Sequence, residues 1–140
     1  MIFSRIKQGI IFIFFKYNKR NDEEIKRILN EKEFLIFNQM SEYDKIHSFN
    51  LYNLCKKDLL LKNDEIYLKL ALLHDSGKRN YSLLKRAKKV IFGDKLLEKH
   101  PNEGYEKLKT INLEVAELIL IHHEKARDKK MEIFQKLDER

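Results

Sequence analysis

Apolar residues recur at helical spacing along most of this chain, and polar or charged residues fill the faces between them. Ile2, Phe3, Ile6, Ile10, Ile13 and Tyr17 share one face and predict an amphipathic N-terminal helix. The apolar run from Ile10 to Phe15 is far short of the roughly 20 residues that cross a bilayer. It also lacks a small-residue cleavage site and runs into Lys16. Packing on the domain is the expected role, with weak attachment to a membrane surface as the alternative.

Asn21 to Glu24 predicts a helix start, with a capping side chain and acids in the first turn, and that helix continues through Leu29. Another is expected over 31–40, with Phe34, Phe37 and Met40 as its apolar stripe. From Ser41 a longer helix runs to about Leu61, and in it His47 shares a face with Leu51 and Leu54. Asn63-Asp64-Glu65 caps the next, whose apolar stretch Leu68 to Leu73 stops at His74-Asp75, with Gly77 as the breaker. A basic helix over 80–92 turns Leu83, Leu84, Ala87, Val90 and Ile91 inward and ends at Gly93. Pro101 suits the first turn of a helix that starts at His100. Asn112 caps a helix from Leu113 to His123, and a polar loop leads to a last helix ending at Asp138.

Composition narrows the class. Four Gly and one Pro in 140 residues leave little turn chemistry for a β-fold, and 43% hydrophobic content suffices for one core. An all-α, compact helical bundle is predicted: a helical extension over 1–30 packed on a domain over 31–140. The single Cys55 excludes a disulfide framework and fits a reducing, cytoplasmic setting, peripheral at the membrane if the N-terminus attaches there.

The net charge of +7 points to anionic partners. Residues 78–99 carry eight bases against Asp94 and Glu98, directly after His74-Asp75. Nucleic acid is disfavoured, because the basic helix offers only Tyr81 and Phe92 for stacking.

An apolar helix seldom ends in His-Asp for packing reasons, since both groups need a hydrogen bond, an opposite charge or a metal once buried. A borderline metal such as Zn, Fe or Mn satisfies both. None of the five histidines is scattered in the basic surface runs: they are His47, His74, His100 and the pair His122-His123. His100 lies at a helix N-terminus, where the dipole keeps the ring neutral, as a ligand must be.

The pieces DKIHSFN, ALLHDSGK, KHPNEGY, ILIHHEK and KLDER, in this order, resemble the HD superfamily of metal-dependent phosphohydrolases over roughly residues 41–138. The HDxGK, HPxxGxxxL and HH elements are similar to the branch with extra histidines for a second metal. That branch includes cyclic-dinucleotide phosphodiesterases and enzymes that cleave symmetrical dinucleoside tetraphosphates. The resemblance implies two divalent ions. His47, His74, Asp75 and Asp138 would bind the first, and Asp75 would bridge to a second held by His100, His122 and His123. Because neighbouring helical residues point about 100° apart, one of His122 and His123 is a ligand candidate and the other a substrate contact. Lys78 and Arg79 would face the substrate's phosphate, and Asp75 and Lys78 would carry the catalysis.

Asp138 is preferred over Asp128 as the last acid, because it follows Met131 and Phe134 on an inward face. No Asp-Gly-x-Gly-Tyr-Pro follows His122-His123, which disfavours cyclic di-GMP, and Tyr43 replaces the glutamate of trimetal members. A small, nucleotide-like phosphate compound is the expected substrate. The alternative is a metal- or nucleotide-binding sensor without turnover.

Overall fold

A computed structural model describes residues 17–78 and 100–139. The expected amphipathic N-terminal helix before Tyr17 and the basic helix over 80–92 lie outside the described residues. Those described form seven α-helices, after a short 3-10 turn at Lys19–Asn21, and no strand, so the chain is all-α. We label the helices α1 (Asp22–Ile28), α2 (Glu31–Asn38), α3 (Glu42–Lys57), α4 (Glu65–Leu73), α5 (His100–Leu108), α6 (Leu113–Ile121) and α7 (Lys129–Asp138).

The helix α4 is central because its sequence leaves no polar face broad enough for solvent. Tyr67, Leu68, Leu70, Ala71, Leu72 and Leu73 are all buried, and α1, α2, α3 and α6 pack around them. Phe37, Leu51, Leu61, Leu108, Ile119 and Phe134 fill the spaces between these helices. Tyr17, Ile25 and Leu29 enter the same core, so residues 17–30 share it with the rest of the domain. Cys55 is a buried core residue whose thiol is pushed up to about 12 by burial, then by Asp58 and Asp138. That keeps it an inert thiol.

Two helix ends differ from the sequence expectation. Asn21 makes no side-chain cap on α1; Asn18, one 3-10 turn earlier, accepts from the Arg20 N–H instead. The long helix stops at Lys57 and not near Leu61. There Asp58 takes an extended conformation, and its carboxylate accepts the N–H groups of Leu60 and Leu61 at 2.8 and 3.1 Å. This side-chain competition for backbone donors ends the helix. Asp64 and Asn112 cap α4 and α6 as expected.

A buried acid, Glu33, ties three helices together. Asn30 and Glu33 form a capping box at the start of α2. The Glu33 carboxylate also pairs with Lys69 of α4 at 3.0 Å and accepts from the amide of Asn112, the α6 cap, at 2.8 Å. Burial would raise the pKa of Glu33, but hydrogen bonds from Asn30, Asn112 and Lys69 outweigh it and hold the carboxyl below its ordinary range.

The two helices after the undescribed segment are joined closely. A Cβ on Gly104 of α5 would lie 2.9 Å from Ile119 Cγ2 on α6. It would also stand 3.5 Å from the Gly77 nitrogen and from Ser76 Oγ, in the turn after α4. Lys107, one turn further along α5, donates to the Ser76 carbonyl at 2.7 Å. Gly104 therefore lets α5 lie directly on the His-Asp turn.

These contacts make two predictions. Glu33→Gln removes the charge that Lys69 faces and lowers stability at pH 7 by about 3 kcal/mol in urea titration. Because the folded carboxyl is held low, this contribution is fully present above its ordinary value of 4.5 and fades as the pH falls through the folded value. The gap between wild type and variant therefore narrows in acid. In Gly104→Ala, the helix-propensity gain of about 1 kcal/mol is outweighed by an overpacking cost of about 1–3 kcal/mol. Ile119 is fully buried and cannot swing its methyl away. A lower Tm is expected, and a higher one would mean that the close approach is not tight.

Candidate metal centre

The candidate centre lies where helix ends converge on the middle of α3. His74 is the C-cap of α4, and Asp75 follows it in the turn. Asp138 is the last residue of α7, and His122 is the C-cap of α6. Helix C-termini carry partial negative charge, so three of them facing one point favour a cation there.

The donor atoms are close. His47 Nε2 lies 2.9 Å from Asp138 Oδ1 and 3.8 Å from Asp75 Oδ2. His74 Nε2 lies 3.2 Å from each of the same two oxygens. One ligand atom each from His47, His74 and Asp75 falls within a 4.8 Å cluster. His74 Nε2 is fully buried and, despite the two oxygens beside it, makes no hydrogen bond of good geometry. Two nitrogens and two carboxylate oxygens thus face one another as a mixed N/O donor set, which suits a divalent transition metal.

Ring orientation follows from local backbone rules. His74 Nδ1 donates to the Ala71 carbonyl at 2.9 Å, and His122 Nδ1 donates to the Ile119 carbonyl. A carbonyl only accepts, so Nδ1 carries the proton and Nε2 of the neutral ring presents its lone pair. Each histidine caps its helix, where the last carbonyls lack the usual N–H four residues on; Ile119 O also accepts the His122 N–H at 3.4 Å.

Charge separates the two rings. Burial disfavours a charged His74, but the carboxylates of Asp75 and Asp138 overcome this and raise its pKa well above the ordinary value. Asp138 is held far below its usual range: burial opposes this, and His74 and His47 outweigh it. These acids stabilise positive charge at the centre, whether a proton or a metal carries it. His122 is pushed down to about 3, by burial and then by His74 and His123, so its ring is neutral.

Other expected site residues take distinct places. His122 is buried with its ring 5.4 Å from that of His74, and His123 is exposed with its ring 4.0 Å from His122. Lys78 Nζ lies 3.3 Å from Asp75 Oδ2, so this cation borders the donor cluster. Asp128 caps α7 by accepting from the Met131 N–H, while Asp138 faces the two histidines. The helix α5 begins at His100. The His100 side chain and Arg79 lie outside the described residues.

Several supporting residues escaped the sequence reading. Gln135 of α7 donates to the carbonyls of His122 and Glu124, at 3.0 and 2.6 Å, and so holds the end of α6. Asp44, one turn before His47 on α3, is buried with one oxygen 4.0 Å from Lys78 Nζ. The Ser41-x-x-Asp44 spacing at a helix start was a signal that could have found it.

Residues 45–139, more than half of the chain, match the family model of the HD domain. Comparison with curated proteins and with solved structures returned no match. The matched span opens two residues before His47 and closes one after Asp138, enclosing all four clustered donors. The chain belongs to the HD domain family.

Proposed function

We propose that the protein is a divalent-metal-dependent phosphohydrolase, acting on a phosphoester or phosphoanhydride of a small nucleotide-like anion. The observation that carries the reading is the meeting of His47, His74, Asp75 and Asp138 at helix ends, with Lys78 at its border. HD domains are associated with this class of hydrolase, and the mixed nitrogen and carboxylate set fits the ion they use.

In this reading His47, His74, Asp75 and Asp138 hold the first ion. Asp75, His122, His123 and His100 would hold a second ion; the buried, neutral ring of His122 beside His74 supports this extension. A bound divalent ion, Fe, Mn or Zn, supplies an acidified water and neutralises charge on a phosphoryl oxygen.

The protein's own groups do the rest. Asp75 and Asp138 set a negative field that attracts and retains cations. The Nδ1–H donors of His74 and His122 fix their rings to backbone carbonyls, so Nε2 needs no reorganisation. Lys78 offers an ammonium to the incoming phosphate, with Arg79 beside it in sequence. The basic stretch that begins there raises the local concentration of anions.

Among the described residues no helix is long and apolar enough to cross a membrane. Weak surface attachment by the apolar N-terminus stays a separate proposal, tested by vesicle flotation of the full chain and of one lacking residues 1–16.

The test combines metal content with turnover. Protein prepared without chelator or affinity histidines should bind Mn, Fe or Zn and hydrolyse a generic phosphodiester or a nucleotide. Asp75→Ala should lose metal and more than about a hundredfold in activity. Metal at a hundredfold excess over its Kd should raise Tm by about 5–10 °C, and a chelator should reverse this. Full metal binding without turnover on a broad phosphoester panel would favour the sensor alternative.

A further inference from the structure

We propose that Asp44 is a positioning residue for Lys78, holding its ammonium at the edge of the donor cluster where a phosphate would meet it. The proposal rests on the reading of Lys78 as the phosphate-facing cation. Asp44 and His47 stand three residues apart on α3, so both face the same region. The Asp44 carboxylate is 1% exposed, and a buried carboxylate needs charge or hydrogen-bond compensation.

Its two oxygens are used differently. The Ser41 hydroxyl donates to Oδ2 at 2.9 Å and also accepts the Asp44 N–H at 3.2 Å as the cap of α3. This pins the carboxylate and leaves Oδ1 on the side of Lys78, 4.0 Å from Nζ. The ammonium thus lies between Asp75 Oδ2, at 3.3 Å, and Asp44 Oδ1.

The two acids differ in what else they do. Asp75 belongs to the donor cluster, and a cation bound there draws on the charge that attracts Lys78. Asp44 is outside that cluster and keeps its full attraction when the centre is loaded. At 4.0 Å, Asp44 Oδ1 acts on the ammonium by charge and not through a short hydrogen bond.

A double-mutant cycle on the metal-loaded full chain separates this role from a structural one. Orthophosphate affinity is measured by calorimetry, and KM and kcat for a phosphodiester alongside it. The set is wild type, Asp44→Asn, Lys78→Met and the double variant. Asp44→Asn should weaken orthophosphate binding and raise KM by about tenfold, with metal content unchanged. In the Lys78→Met background the same change should have no further effect.

An equal loss in both backgrounds, or no loss from Asp44→Asn where Lys78→Met shows one, overturns the proposal. Should Asp44→Asn fail to fold or to bind metal, Ser41→Ala replaces it. That change frees the carboxylate without removing its charge, and should cost about threefold only when Lys78 is present. A metal-loaded wild type that neither binds orthophosphate nor cleaves any phosphoester overturns the hydrolase reading, and this proposal with it.

Discussion

Two carboxylates, Asp75 and Asp138, meet two imidazoles in a largely buried place, and much of the architecture serves that meeting. Asp75 is nearly inaccessible and Asp138 is largely so. Neither charge is tolerable there without a cation. The same demand raises the pKa of His74 well above its ordinary value. A divalent ion meets it better, because it accepts lone pairs from both nitrogens and both oxygens together.

The fold delivers these donors through helix ends. The apolar α4 can only be central, which buries its C-terminus and forces His74 and Asp75 into the interior. Gln135 secures the end of α6, and Lys107 with Gly104 clamps the turn after Asp75. From the middle of α4, Lys69 reaches Glu33, which also binds Asn112, the cap at the start of α6. Restraint at the middle and at the C-terminal end of the central helix keeps donors from distant parts of the chain in register, as a preorganised site requires.

Much of this was legible in the sequence because helices announce themselves locally. The apolar periods, the caps at Asp64 and Asn112, and the His-Asp stop depend on neighbours only a few residues away. The Asp138 face followed from its spacing to Phe134 and Met131. What stayed hidden depends on contacts across the fold. The Asp58 turn that shortens α3 is a contest between side chain and helix that propensity does not settle. The Glu33 network spans 79 residues to Asn112, and the Asp44 approach to Lys78 crosses from one helix to the turn after another. A binary pattern records that a residue is polar, not which distant partner makes its burial tolerable.

The most direct measurement is X-ray absorption at the metal edge of protein loaded with Mn, Fe or Zn. The account predicts a first shell of nitrogen and oxygen at about 2.0–2.2 Å, with the outer-shell scattering of at least two imidazoles. His47→Ala and Asp138→Ala should each change that shell. A spectrum of a hydrated ion without imidazole scattering, unchanged in both variants, would contradict the claim that these helix ends hold a metal.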